Sequence, residues 1–525
     1  MARALKTRAS KQQYTSTNQV IIPGFETPFH KHLNTSNRWV VLSAKMPWDE
    51  LVNVYQKQMN NSKTGADGIN PRVVIGALII KHMCDLSDRE TVQQIQENMY
   101  MQYFLGFSSF SDEEPFDASL FVEFRKRLGA EQINAINQKI LNLSIARTKE
   151  AAVNKKDKPP DTLPGPDAQK QTAAEPDKET AIQILPQPLP AAITHDGKLI
   201  VDATACPQDI SYPTDLNLLN DAREKTEELI DFLYSSFLHK KKPRTYREVG
   251  RKLYLKTAQK KVKSKKEIRR AIKKQLGFLR RNLKNINALL ASYTTIPFDV
   301  HQYKYFLVIQ TLYDQQAQMF KEKSHRIEHR IVSIHQPHVR PIVRGKTNAN
   351  VEFGAKINVS LVNGFAFLED LSWDAFNEGT RLIKTVEQYK ARLGYYPKEV
   401  LADKIYCNRA NRSKLKELGI VLVAKALGRP RAQSNLIRPG QRNPIEGKFG
   451  QAKTTYGMNR IKARLQQTSE SWIATIIMVL NLVKLTGQVP FCLIQSLFTY
   501  SAEATKNVKC IIRKLEDLSY QKMAI

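Results

Sequence analysis

The chain has 525 residues and carries 81 Lys or Arg against 50 Asp or Glu, a formal net charge of +31. That length accommodates two or three domains with a substantial core. So one-sided a balance is not needed for a merely well-solvated surface and points to a polyanion, most often nucleic acid. Five cysteines, Cys84, Cys206, Cys407, Cys492 and Cys510, are scattered without a CxxC pair, which argues against a disulfide frame or a thiolate zinc site and suits the reduced thiols of a cytoplasm.

The opening MARALKTRASKQQYTST has no apolar run and is not read as a secretory signal. Short helical pieces such as 47–59 follow. From 71 to 128 the pattern is helical: Val73, Val74, Ala77, Leu78 and Lys81 recur at helix spacing, and Ser87-x-x-Glu90 is a capping box that opens a helix. Two helices, a short turn before Ser119 and a helix ending in Arg125, Lys126 and Arg127 could read DNA as a helix-turn-helix does, or form a packing domain with a basic rim. Residues 151–193 hold eight prolines and few large apolar groups, too little to offset their ordering entropy, and are read as a linker.

Residues 197–204, GKLIVDAT, are an apolar triplet ending in Asp202, read as a strand covered on both faces. An Asp at the end of such a strand is costly unless it is paired, hydrated or metal-bound. Residues 221–238 look helical. Residues 240–284 then carry 20 Lys or Arg against two acids, Glu248 and Glu267, while Ile268, Ile272, Leu276 and Leu279 keep a helix face. Such a run is either a solvated face or a surface for the DNA backbone, with Lys265, Lys266, Arg269 and Arg270 as candidate contacts. His325, His329, His335 and His338 fall close together, with His325 and His329 on one helix face. With no Cys nearby and no HExxH, surface or phosphate-facing roles are favoured over zinc.

Two β-rich flanks around Asn363-Gly364 predict a hairpin. A helix over 378–393 leads to 400–403, VLAD, a second apolar run ending in Asp, here Asp403. A short helix over 409–418, a strand over 420–424 and a helix beginning near Asn443 follow. In that last helix Pro444 suits the first position and Glu446 falls at N3, so Glu446 either closes a capping box on the Asn443 amide or binds a metal at a phosphodiester. Lys453 lies two turns on, on the same face as Glu446. Phe449 adjoins that surface, and Gly450 permits close approach. The apolar segment 472–485 is interrupted by Asn481 and Lys484, is shorter than the ~20 residues of a membrane span, and is read as a buried core helix.

Removing the 212–334 insertion leaves the strand and helix order of a ribonuclease-H-like fold. Its first and fourth strands are parallel neighbours, ~4.8 Å apart, so Asp202 and Asp403 could share divalent ions with a glutamate closing the site. Hard oxygen ligands suit Mg²⁺ or Mn²⁺, and two ions ~3.5–4 Å apart can activate a water or 3′-hydroxyl.

The stretch RNPIEGKFGQAK resembles the third catalytic block of DDE transposases from bacterial insertion sequences, whose signature is Tyr-x2-Arg-x3-Glu-x6-Lys. Arg442, Glu446 and Lys453 fit it, whereas Pro439 stands where the Tyr would be. LIVDATACPQDI, VEFGAK and GYYPKEVLADKIY resemble the preceding blocks, and DLSDRETVQQIQENMYMQYFLGF with FDASLFVEFRKRL resembles the N-terminal domain of the same proteins. The resemblance covers roughly 71–485. It implies a catalytic triad of Asp202, Asp403 and Glu446 holding Mg²⁺ or Mn²⁺, two ions in all. It also implies that Arg442 and Lys453 contact the DNA backbone, with Arg125 and Arg127 as further DNA contacts.

The expected architecture is an α/β ribonuclease-H-like catalytic core with a long helical insertion, preceded by an all-α N-terminal domain. Its parts are a 1–150 DNA-binding domain, the 151–193 linker, a catalytic domain over 194–211 and 335–500, the 212–334 basic insertion and a 501–525 basic tail. The expected activity is binding of terminal inverted repeats, DNA cleavage and transfer of 3′ ends to target DNA. It would be carried out by a homodimer on double-stranded DNA, in the bacterial cytoplasm with the nucleoid and with no membrane. A catalytically silent DNA-binding descendant is the alternative. A structural nucleoid or RNA-associated protein would explain the charge but not the three carboxylates.

Overall fold

The computed structural model describes residues 14, 16, 27–57, 68–156, 194–343, 351–424 and 440–487, with side chains of 147–156 left aside. Residues 157–193 of the proline-rich segment, Pro439, Cys492, Cys510 and the 501–525 tail lie outside the described residues.

The N-terminal part is helical. It comprises α1 (Pro28–His32), α2 (Arg38–Lys45), α3 (Trp48–Gln56), α4 (Pro71–Met83), α5 (Asp88–Glu97), α6 (Met99–Leu105), α7 (Phe121–Arg127) and α8 (Ala130–Lys156). Local chemistry sets the boundaries. Asn70 caps α4 ahead of Pro71, the Ser87–Glu90 capping box opens α5 as the sequence predicts, and Gly106, at φ +92°, ends α6. All thirteen residues of α4 are buried.

The C-terminal part is a mixed six-stranded sheet with helices: β1 (Lys198–Pro207), β2 (Arg340–Val343), β3 (Val351–Val362), β4 (Phe365–Ser372), β5 (Glu399–Leu401) and β6 (Val421–Val423). β3 pairs antiparallel with β1 along one edge; β2 and then β4 pair with successive stretches of its other edge. β5 runs parallel to β1, and β6 parallel to β5, so the first and fourth predicted strands are parallel neighbours as expected. The hairpin turns at Asn363 (φ +50°) and Gly364 (φ +78°), the double positive φ for which that dipeptide is suited. β2 has no counterpart in the sequence reading. Gly354 lies where β3 meets the end of β1: a Cβ there would stand 2.1 Å from the Cys206 carbonyl oxygen, so the VEFGAK glycine permits the strand contact.

Between β1 and β2 the insertion forms α9 (Asp215–Leu233), α10 (Arg247–Ala258), α11 (Lys265–Leu290) and α12 (Val300–Glu322). These helices share a core of their own, including Leu219, Ile230, Leu279, Ile286, Ile309 and Leu312. α12 ends at Glu322 with Lys323 in the left-handed region, so His325 and His329 do not share a helix face. His325 faces Asp215, His329 faces Asp374, His335 bonds the Tyr305 hydroxyl, and His338 packs edge-on to Trp373. The zinc possibility lapses because each histidine has a different partner.

The sheet is completed by α13 (Leu382–Leu393), α14 (Arg409–Glu417), α15 (Asn443–Thr455) and α16 (Gln466–Thr486). α16 has the length and composition to cross a membrane, longer than the apolar run alone implies, but it is buried in the protein. It packs against α4, α7, α8 and β4, and one hydrophobic cluster spans the N-terminal helices, α16 and the sheet. Asn481 interrupts its apolar face without cost because the side-chain amide bonds both the N–H and the carbonyl of Ala366, and Asn137 as well.

Candidate active site

β1 is longer than GKLIVDAT suggests, and Asp202 lies in its middle rather than at its end. Its partner β5 stops at Leu401. The β1–β5 register pairs Leu199 with Val400 and Ile200 with Leu401. Carried two residues further, the same register sets Asp403 opposite Asp202, where β5 has already given way to a 3-10 turn (Lys404–Tyr406). Asp202, within β1, and Asp403, two residues past the end of β5, thus lie at one level of the sheet.

Arg442 joins them. Its Nη2 donates to Asp202 Oδ2 at 3.1 Å, and its Nη1 lies 3.2 Å from Asp403 Oδ1. Asp202 Oδ1 accepts the Ala203 amide at 2.8 Å. Burial drives the Asp202 carboxyl above its ordinary pKa; the Ala203 amide and Arg442 oppose the shift, and the charges of Glu378 and Asp403 reinforce it. Asp202 is 17% exposed and Asp403 53%, so one carboxylate is sheltered and the other faces solvent.

Tyr406, fully buried, bonds Asn358 Oδ1 at 3.1 Å, and Asn358 in turn bonds Thr385 at 2.9 Å. Burial pushes the Tyr406 phenol up, helped by the charges of Glu378 and Asp202. Glu378 is a carboxylate the sequence reading did not single out. It pairs with Lys356 Nζ at 2.9 Å, and Lys356 also donates to the Phe376 carbonyl. No spacing signal marks this pair: Lys356 lies on β3, and Glu378 begins a 3-10 turn after the hairpin.

α15 brings Glu446 and Lys453. Its buried stripe is Ile445, Ala452 and Tyr456, with Phe449 partly covered. The strand-like pairing of Ile461 with Pro207 and Asp209 ties the segment after α15 to the end of β1. Glu446 and Lys453 each follow a buried residue by one position, so both lie on the same flank, Glu446 exposed and Lys453 half-buried. The capping box, one of the two readings of Glu446, is not formed. Arg442 is the N-cap, no side chain caps the helix, and the Asn443 amide donates to the Gly440 carbonyl. Arg442, expected on the DNA backbone, is spent on the two aspartates.

Arg125 is not the exposed end of a basic helix. It is 3% exposed, its guanidinium grips Asp88 through both Nη atoms, and it lies over the Trp472 ring. Arg127 is exposed and donates to the Tyr55 hydroxyl at 3.2 Å. Lys265, Lys266, Arg269 and Arg270 are exposed at the start of α11, although Arg269 also bonds the Phe320 carbonyl and stacks on that ring.

Among the described residues no three His, Cys, Asp or Glu side chains converge as an ion-holding group. The donor chemistry nevertheless fits a hard divalent cation: two carboxylates at one register, already bridged by a positive group, with Glu446 one turn beyond that group.

Residues 27–127 match a transposase domain (DUF772), and residues 400–483 match a transposase DDE domain. Both matches are to transposase domains, the second of the DDE kind. Asp403, Arg442, Glu446 and Lys453 fall inside the second match, and Asp202 precedes it. An uncharacterized protein, ORF8 in the nfe locus of Rhizobium meliloti, is 32% identical over 107 residues, 20% of this chain and 49% of that protein. The chain therefore spans about half the length of that curated relative. No solved structure matches the chain.

Proposed function

We propose that this chain, which carries both transposase domains, is a DNA transposase that binds the terminal inverted repeats of its element, cleaves DNA and transfers 3′ ends to a target. The observation that carries this is the pair Asp202 and Asp403, level across the parallel β1–β5 pair with Asp403 just past the end of β5, and bridged by the Arg442 cation. The strand order, antiparallel through β4, β3 and β1 and parallel through β1, β5 and β6, supports the reading of a ribonuclease-H-like core. Asp202, Asp403 and Glu446 would hold the divalent ions, Mg²⁺ or Mn²⁺ and two in number. When bound, they activate a water or a 3′-hydroxyl and stabilise the leaving oxygen.

The protein groups have separable tasks. Asp202 and Asp403 present hard oxygen donors, with the sheltered Asp202 fixed by the Ala203 amide. Lys453, on the flank of Glu446, holds a phosphate of the DNA end in line. Arg442, which bridges the carboxylates here, would be free to contact the DNA backbone if divalent ions neutralised them. The exposed cations of α11 neutralise backbone phosphates and release counterions, which provides affinity without base choice. The protein works as a homodimer on DNA, in the cytoplasm with the nucleoid.

The lodging of Arg442 between the aspartates favours a second reading, a catalytically silent DNA-binding descendant. A plasmid carrying the gene with its flanking DNA, incubated with the protein and Mg²⁺, separates the two. Joined target products bounded by inverted repeats support transposition. Binding of the ends without any strand cleavage supports the silent reading.

A further inference from the structure

A second cation cluster, made of other residues, lies where α4, α5 and α7 meet the start of α16. A cleft of about 340 Å³ there is lined in part by Lys81, Asp88, Arg125, Lys462, Arg464 and Trp472. Lys81 and Arg125 are 1% and 3% exposed, and both rest on the single carboxylate of Asp88. Two buried cations on one carboxylate leave positive charge that is unfavourable to bury unbalanced. Burial pulls the Lys81 ammonium down to about 8, with Asp88 opposing the shift.

The Trp472 ring offsets part of the excess, with Lys81 Nζ 4.6 Å and Arg125 Cζ 4.9 Å from its centroid. His82 packs nearly at right angles to the same ring, with centroids 4.9 Å apart. Among the described residues neither the Trp472 indole N–H nor the Arg125 Nε–H has an acceptor, and both atoms are buried. Asp88 takes one N–H from each Nη of Arg125, and the Nε–H is left without an acceptor among the described residues. Lys462 and Arg464 are exposed at the rim. Asp85 and Glu90 couple to Lys462 electrostatically, which leaves Arg464 as the better-placed rim charge.

We infer that this cleft is a binding site for a phosphate group, and that its occupant is a phosphodiester of duplex DNA. A phosphate offers acceptor oxygens in several directions, which suits two buried N–H donors and a rim cation together. Lys81, Asp88 and Arg125 come from the N-terminal transposase match and Lys462, Arg464 and Trp472 from the DDE match, so one phosphate here would tie both domains to the same duplex. The inference rests on the DNA-binding part of the proposed function and not on cleavage.

The test uses the full chain, a fluorescent duplex and a salt titration of binding for the parent, Arg464→Gln and Trp472→Phe. Arg464→Gln should lower the slope of log K against log salt by about 0.9, one phosphate contact. Trp472→Phe, which removes a neutral donor, should keep the slope and weaken binding about tenfold. Trp472→Phe also loses ring area packed on Lys81, Arg125 and His82, so its melting temperature without DNA should fall, and binding is read well below that temperature. Should it fail to fold, the exposed Arg464 decides alone. Parent slope and affinity in the variants would overturn the site. Protection from melting by inorganic phosphate, with DNA binding unchanged in both variants, would overturn the assignment to DNA. Cleavage is not read, so these outcomes leave the carboxylate site untouched.

Discussion

Replacing Arg442 by Ala removes the cation that bridges Asp202 and Asp403. The Arg442–Asp202 bond joins groups 22% and 17% exposed, and a sheltered charge-assisted bond contributes about 1.5–3 kcal/mol. The bond to Asp403 involves a carboxylate 53% exposed, and solvent screening holds its share below about 1 kcal/mol. The expected loss is therefore about 2–3 kcal/mol, most of it on Asp202, with repulsion between the bared carboxylates adding to it. A divalent ion bound at 100 times its Kd returns about 2.7 kcal/mol. Thermal melting of parent and Arg442→Ala, each in chelator and in Mn²⁺, is the assay. The variant should melt lower in chelator and gain more from Mn²⁺ than the parent, in which the ion must displace a guanidinium. An equal Mn²⁺ gain in both proteins would refute the idea that Arg442 occupies the position of a metal.

Asp202→Asn tests the strain at the sheltered carboxylate. The folded pKa of Asp202 is raised, chiefly by burial. The stability tied to this group is therefore complete below the unfolded carboxylate pKa and lost as pH rises through the folded value. In chelator, Asp202→Asn should then melt no lower than the parent at pH 7, and any advantage should vanish on acidification; a large loss at pH 7 would count against the burial account. Lys81 titrates in the opposite sense: its folded pKa is lowered to about 8 from 10.5, so parent stability gains a contribution as pH rises over that window, and Lys81→Met should abolish that rise. Changing Lys265, Lys266, Arg269 and Arg270 together to Gln should lower the DNA-binding salt slope by about 3 rather than 4 contacts' worth, because Arg269 is pinned to Phe320. An unchanged slope would remove this face from the DNA. Lys453→Ala should leave melting nearly unchanged and strongly reduce strand transfer, with Lys453→Arg retaining more; transfer at the parent rate would dissociate Lys453 from the site.

Where local chemistry decides structure, the sequence was a sufficient guide. Asn363-Gly364 makes its hairpin because both residues accept positive φ, and Ser87–Glu90 makes its capping box because both partners lie within one turn. The parallel pairing that levels Asp202 with Asp403 followed from the order of apolar runs and helices. Failures occur where a distant residue decides. Arg125 reads as a basic helix end until Asp88 and Trp472, remote in sequence, close over it. The pairing of Arg442 with Asp202 and Asp403 forms only when the sheet brings the two carboxylates to it. The Glu446 cap failed because the Asn443 amide found the Gly440 carbonyl, a choice that no side-chain pattern encodes. Glu378 and Lys356 escaped notice because their pairing depends on a 3-10 turn folding back onto β3.

On the proposed reading, Asp202, Asp403 and Glu446 act as one metal-dependent unit on DNA. Its most direct test is strand cleavage at the element's ends in Mg²⁺ by Asp202→Asn, Asp403→Asn and Glu446→Gln, each beside the parent and each matched for DNA binding. Loss of cleavage in all three with binding retained is the predicted result. Cleavage at the parent rate by any one of them would remove that residue from the site and contradict the claim.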